Sequence, residues 1–239
     1  MKNIVTLFLT LLLSLQLYSQ KKPPTAAFKW APAALVLGNV SLQGEYSFGR
    51  KSLTAKIGVP VLTTHTLKYD DRDAIFRLKA STFLAGYRSY LSKKSMKGIY
   101  LEPFFKYVHL SGEGEGKALV NGNTVRMNFS NQYNGAGFGL QMGAQFIVAN
   151  RIVIDLFLLG PEMNLARNTF KGKENSSYLP WTSIDGKDVE KDIREFIDKF
   201  PFIRKRTNIL IDEKNKTVTA NFKGLLPGFR TGVSFGVVF

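Results

Sequence analysis

The sequence predicts an all-β fold, an eight-stranded antiparallel transmembrane β-barrel with a helix-plus-hairpin insertion in its last outer loop. Three observations predict it. A short apolar leader opens the chain, apolar and polar residues alternate with period two in segment after segment, and the connections between those segments alternate short and long.

The leader comes first. Lys2 precedes the apolar stretch Ile4 to Leu17, and Ser19-Gln20 forms a cleavage zone before Lys21-Lys22. The stretch is shorter than the ~20 residues that a membrane-spanning helix needs, and it matches the apolar region of an export signal. Residues 1–20 are therefore expected to be a signal peptide and 21–239 a single barrel domain. The chain contains no cysteine, which excludes a lipid-modified N-terminus and leaves an exported protein without disulfides. Its formal charge of +15 falls by one when the leader, whose only charge is Lys2, is removed. Strong basicity often points to nucleic acid, but an exported chain rarely meets it. Outer-membrane lipid and lipopolysaccharide phosphates fit the charge better, and a solvated basic surface explains it equally well.

The alternation is carried by six segments. Val40, Leu42, Tyr46 and Phe48 oppose Ser41, Gln43, Glu45 and Ser47; Leu53, Ala55, Ile57, Val59 and Val61 oppose Ser52, Thr54, Lys56 and Gly58. Ile99, Leu101, Phe105 and Tyr107 oppose Tyr100, Glu102, Phe104 and Lys106. The pattern recurs over residues 136–146, over 152–158 around Asp155, and over 229–239, where Arg230 and glycines oppose Phe229, Phe235 and Phe239. Residues 75–91 also read as a strand, in a less regular phase. A water-soluble barrel would alternate too, with the apolar side inward. The inverted arrangement is favoured because one phase mixes glycine with Glu45, Lys56, Glu102, Lys106, Asp155 and Arg230, while the other is nearly uncharged mid-strand, as a hydrocarbon-facing band must be. The acids Glu45, Glu102 and Asp155 are then expected to pair with Lys56, Arg88, Lys106 and Arg230, since buried ions persist only when paired.

The connections give the count. Gly49–Lys51, Ser92–Gly98 and Ala149–Arg151 are short; Thr64–Ala74, Gly112–Thr124 and Arg167–Phe222 are long. With short turns periplasmic and long loops outside, an additional strand must precede Val40. Phe28 to Leu37, ending in a Gly38-Asn39 turn, supplies it although Pro32 weakens it. The lumen of an eight-stranded barrel is filled by side chains, so a nutrient pore is not expected.

The last long connection holds structure. Val189, Ile193, Phe196, Ile197 and Phe200 recur at helical spacing, with Asp185 as N-cap and Pro201 as stop, and a hairpin follows around Asp212–Lys216. The insertion 167–222 is read as extracellular, either a lid that recognises a protein or ligand through Tyr178 and Trp181, or a plain cap over the barrel mouth.

Little of the sequence suggests catalysis. His65 lies in a polar segment with no evident partner. His109 and Ser111 lie on the outward phase at the outer end of a strand, and Glu113 or Glu115 follows as a candidate orienting carboxylate; a Ser–His–acid set could cleave an ester. Gly135, Gly137 and Gly139 lie within a strand and not between strand and helix, so they form no dinucleotide site. Gly112, Gly114 and Gly116 carry no calcium-loop pattern. No zinc spacing or phosphate loop is present, and no metal or cofactor is expected.

The segments Gly38-Asn39-Val40-Ser41-Leu42 with Glu45-Tyr46, Gly86-Tyr87-Arg88-Ser89-Tyr90, and the closing Phe235–Phe239 resemble the OmpA-transmembrane and OmpX-like barrels. They resemble still more closely exported barrel families of unknown function. The resemblance covers residues 28–166 and 224–239. It implies adhesion, envelope stability or surface binding by a non-enzymatic outer-membrane barrel and transfers no catalytic residue; a monomer is expected. Separately, the His109-x-Ser111 arrangement resembles outer-membrane lipid A deacylases over three residues, with Gly112 where that family typically has asparagine; this implies the alternative of a lipid-modifying hydrolase.

Overall fold

The computed structural model describes residues 24–69, 72–120, 123–175 and 181–239. The expected signal peptide and Tyr178 lie outside the described residues. The strands are β1 (Ala26–Ala31), β2 (Asn39–Phe48), β3 (Lys51–Pro60), β4 (Thr63–Tyr69), β5 (Arg72–Tyr90), β6 (Gly98–Val120), β7 (Asn123–Val148), β8 (Ile152–Glu174), β9 (Thr207–Asp212) and β10 (Thr217–Val238). Two helices, α1 (Ser183–Asp198) and α2 (Pro201–Arg204), separate β8 from β9.

Eight strands close a ring in the order β1-β2-β3-β5-β6-β7-β8-β10, with β10 returning to β1 through Ala27↔Val238 to Trp30↔Phe235. Every pairing is antiparallel. Closure leaves no unpaired strand edge in the ring itself. Strands β4 and β9 lie outside it: β4 pairs with the distal half of β5, and β9 with the distal end of β10. At the end remote from the termini the ring thus continues as a sheet with two free edges.

The burial pattern is inside out. Along β2, Asn39, Ser41, Gln43, Glu45 and Ser47 are buried while Tyr46 and Phe48 are exposed; along β3, Ser52, Thr54 and Lys56 are buried while Leu53, Ile57 and Val59 are exposed. Phe138, Leu165 and Phe229, at 70%, 67% and 60% exposure, stand on the outer wall. Alternation with period two builds both faces at once. Here the interior receives the polar set. Among the described residues, clusters of buried apolar side chains form at the two ends. Near the termini, Met96 from the Ser92–Gly98 turn fits among Ala27, Tyr90, Tyr100, Val153 and Val238 and stoppers the ring. At the far end Val120, Met127, Trp181, Val189 and Val218 pack together, which fixes α1 against the concave side of the distal sheet.

Several expected boundaries change. The first strand ends at Ala31, because Pro32 starts a 3-10 helix that runs to Leu37. The connections expected at 64–74 and 112–124 are strand hairpins, and 167–174 and 217–222 continue β8 and β10, so the insertion proper is shorter than 167–222. Residues 112–120 and 167–174 are rich in glycine or charge, which removes the apolar–polar alternation that marks a strand, whereas Val218, Ala220 and Phe222 keep it. The α1 N-cap is Thr182 and not Asp185, which sits at N3: its backbone N–H donates to Thr182 Oγ1 and its carboxylate accepts from the Thr182 backbone N–H. Pro201 opens α2.

Gly38 is a keystone of the ring. Its φ of +74° is left-handed, its carbonyl accepts from the backbone N–H groups of both Val61 and Ala80, and a Cβ there would lie 2.4 Å from the Leu78 carbonyl oxygen. It ties the β3–β4 link at Val61 to β5 at Ala80. Gly38→Ala should therefore lower unfolding stability by at least ~1–2 kcal/mol, the usual cost of a left-handed non-glycine residue, as measured by urea titration in detergent.

At the distal hairpin the Asn215 side-chain amide (2.7 Å) and backbone N–H (2.9 Å) donate to Asp212, and these donors hold its carboxyl below the usual aspartate range. The turn's support is then complete above the ordinary aspartate pKa and fades as pH falls through the lowered value. Amide-exchange protection of the β9–β10 turn should drop over that acid window, and Asp212→Ala should remove the dependence.

Candidate functional site

Within the ring, side chains from seven strands meet in one charged cluster. Lys29 of β1 donates to Glu45 of β2 (2.7 Å), Gln145 of β7 (2.8 Å) and Asp155 of β8 (2.7 Å). Arg88 of β5 donates through Nε and Nη2 to Glu102 of β6 (2.9 and 2.7 Å), and through Nη1 to Asp155 (2.9 Å) and Gln145 (2.8 Å). It also lies 3.3 Å from Glu45, with its guanidinium carbon 3.6 Å from the Tyr100 ring centroid. Tyr90 donates to Glu45 (2.6 Å), Tyr100 to Asp155 (2.6 Å), and Thr54 of β3 to Glu102. Every carboxylate in the cluster is held by a cation and by at least one hydroxyl. Such groups are locked in place, with no face left for a substrate.

Of the expected lumen residues, the structure brings Glu45, Arg88, Glu102 and Asp155 together. Lys106 lies farther along and pairs with Glu162. Lys56 and Arg230 pair with none of the expected acids. Lys56 Nζ stands 5.1 Å from the Phe157 ring centroid, and the Arg230 guanidinium carbon 5.0 Å from Phe157 and 5.3 Å from Phe104. The reason is height: Lys56 lies opposite Leu84 in the β3–β5 register, where Lys106 also faces Leu84 across β5–β6, beyond the level of Arg88. Sequence reasoning missed Lys29, Gln145 and Glu162. Lys29 was detectable, since Ala27, Lys29 and Ala31 alternate with Phe28 and Trp30.

The cap differs from the expected lid. Trp181 is buried in the cap core, and its indole N–H donates to Glu174. It is therefore turned away from any partner, because the capping sheet needs an apolar filling and the indole is the largest side chain at hand. Of the apolar helix stripe, Val189 is buried, Ile193 packs beside it, and Phe200 is exposed. Among the described residues, Phe200, Phe202, Ile184 and Leu210 are large apolar side chains that the cap presents outward. A cleft of about 270 Å³ opens between the end of α1, α2 and β9, edged by Arg194, Arg204 and Lys205.

On the outer wall, the odd-numbered residues of β6 face outward. His109 Nδ1 and Asn134 Oδ1 are 2.7 Å apart, and Tyr107 Oη donates to the same oxygen at 3.3 Å. Ser111 lies one register row beyond His109 and Glu113 two rows beyond. No hydrogen bond links Ser111 to His109, and Glu113 faces Arg77 and Ser130 across the neighbouring strands. The residue that orients His109 is Asn134, which only the β6–β7 register brings beside it. His65 Nε2 meets the Val36 carbonyl at 2.9 Å, across a contact that the sequence hides. No group of three or more potential ligands that could hold a metal ion occurs among the described residues, and no described helix is long and apolar enough to cross a membrane.

Comparison with protein families, with curated proteins and with solved structures finds no match for this chain.

The charged cluster makes a stability prediction. Arg88→Met removes the cation shared by Glu45, Glu102 and Asp155 and leaves buried charge uncompensated, so the barrel should lose ~3–5 kcal/mol. Equilibrium unfolding in detergent measures it. A variant as stable as the parent would show that the cluster carries no structural load.

Proposed function

We propose that this chain is a non-enzymatic outer-membrane barrel, sealed through its centre, that anchors a basic, helix-capped sheet at the cell surface in a structural or surface-binding role. The observation that carries the proposal is the inverted burial: charges inside the ring, and a continuous belt of Leu, Ile, Val and Phe outside it. In water such a belt would be far larger than the patches a soluble monomer tolerates. In hydrocarbon it is the favoured surface, and a closed ring is one of only two ways a chain can satisfy its backbone there.

The dimensions agree. On β6 the outward apolar run from Ile99 to Tyr107, at ~3.4 Å per residue, covers roughly 27 Å along the strand. Tilted by the usual ~35–45°, it spans roughly 19–22 Å of height, most of the ~25 Å apolar band of such barrels. The expected export leader supports the same location. The filled lumen favours an anchor over a conduit, since the Arg88 cluster and the Met96 stopper occupy the axis. The cap fits a surface role: its charge over 181–216 is nearly balanced, nine bases against eight acids, and it exposes Phe200, Phe202 and Leu210 at the end away from the termini.

One substitution separates membrane from solvent. Phe138→Arg at a 70% exposed site should be harmless or helpful in a water-soluble protein. In a bilayer near its midplane it should cost ~2–4 kcal/mol. Unfolding of the vesicle-reconstituted protein measures the difference. The parent chain should also float with vesicles and migrate faster unheated than boiled on a detergent gel. A protein that stays dissolved without lipid or detergent, with Phe138→Arg neutral, would refute the proposal.

A further inference from the structure

The outer wall changes character within a single register row. Phe83, Tyr107, Ala136, Leu165 and Leu225 are consecutive cross-strand neighbours on β5, β6, β7, β8 and β10, and four of the five are large and apolar. The next outward row, two residues along each strand, is Ser81, His109, Asn134, Arg167 and Lys223. Every member is polar. If the apolar belt lies in hydrocarbon, this row lies at the level of the lipid headgroups.

Two features of that row call for a ligand. Arg167 and Lys223 are directly opposed across β8–β10, so their Cβ atoms lie about 5 Å apart, a placement that is repulsive for like charges. Both are exposed, and among the described residues neither has a carboxylate within ion-pair distance. Beyond the apolar belt, the outward faces of β7, β8 and β10 bear Arg126, Arg167, Lys171, Lys173 and Lys223 and no acid at all. The second feature is the adjoining polar pair. The Asn134 side-chain oxygen is engaged by Tyr107 Oη and His109 Nδ1, which leaves its amide N–H groups as donors on a residue directly opposed to Arg167 in the β7–β8 register.

The geometry points to a seat for the phosphate of a membrane amphiphile, with Arg167 and Lys223 as its cationic fork, Asn134 as a neutral donor, and the acyl chains lying against Leu165 and Leu225. The lipid is favoured over free phosphate because the fork sits directly above exposed apolar side chains that a soluble anion would leave uncovered. Guanidinium and ammonium groups both donate charge-assisted hydrogen bonds to phosphate oxygens, the guanidinium in a bidentate fork. A diffuse basic surface would place its charges without regard to row or spacing. This inference rests on the membrane reading proposed above.

The test uses the full chain reconstituted into phosphatidylcholine vesicles carrying a minor fraction of phosphatidic acid, followed by gentle extraction and native mass spectrometry of retained lipid. Flotation of the vesicles is recorded first. The parent should retain phosphatidic acid in preference to phosphatidylcholine. Arg167→Gln with Lys223→Gln should reduce that retention about tenfold or more, as loss of charge-assisted hydrogen bonds implies. Lys171→Gln with Lys173→Gln, which removes the same charge farther from the belt, should retain nearly the parent amount. Equal losses in both double variants, no loss in either, or displacement of the lipid by inorganic phosphate at modest concentration would each overturn the seat while leaving the barrel in the membrane. Failure of the parent to float would overturn the membrane reading, and the seat with it.

Discussion

Arg88 is the point on which the interior turns. An eight-stranded ring is too narrow to hold water in bulk, yet the alternating sequence must direct half of its side chains inward. If those are polar, they have to satisfy one another. Arg88 does this for three carboxylates from three different strands, and Lys29 reinforces two of them from a fourth. Lys29–Glu45 and Arg88–Glu102 join paired strands. Lys29–Asp155, Arg88–Asp155 and Arg88–Glu45 join strands that share no backbone pairing, so the cluster ties the circumference together beyond what the ladder does. The planar guanidinium suits this task better than an ammonium, because it can face several acceptors at fixed angles while stacking on Tyr100.

Filling the axis with ions has two consequences. It leaves the outer wall apolar, because the ring interior is filled mostly by polar groups, with Leu84, Phe104 and Phe157 as the buried apolar side chains beside Lys56 and Arg230. It also divides the molecule into levels. The Met96 stopper and the ion cluster occupy the end near the termini, the Lys106–Glu162 pair lies beyond them, and the cap core around Trp181 closes the far end. The same side-chain alternation serves opposite purposes along one strand. On β6, Glu102 faces the ion cluster, Tyr107 faces outward at the edge of the apolar belt, and His109 stands just past that edge.

The outer row shows how much chemistry can depend on register. His109, Asn134, Arg167 and Lys223 are scattered over more than a hundred residues of sequence, and strand pairing makes them a continuous line. Asn134 orients His109, and Tyr107 steadies Asn134. The carboxylate nearest in sequence, Glu113, belongs to a different row. Neighbours in a strand are not neighbours in a site; residues on the adjoining strands are.

The amino-acid sequence carried the ring of eight and its inverted polarity, because period-two alternation is local and runs unbroken along most strands of the ring. It also identified Glu45, Arg88, Glu102 and Asp155 as inward charges, from phase alone. Which acid meets which base was decided only by the tertiary structure, since strand stagger sets height: Lys56 and Arg230 share the inward phase but sit above the acids and lie against Phe157 instead. The distal strands over 112–120 and 167–174 were invisible for a related reason. Beyond the apolar belt no single solvent acts on one whole face, so nothing imposes a pattern, and only pairing with the neighbouring strands makes those residues extended.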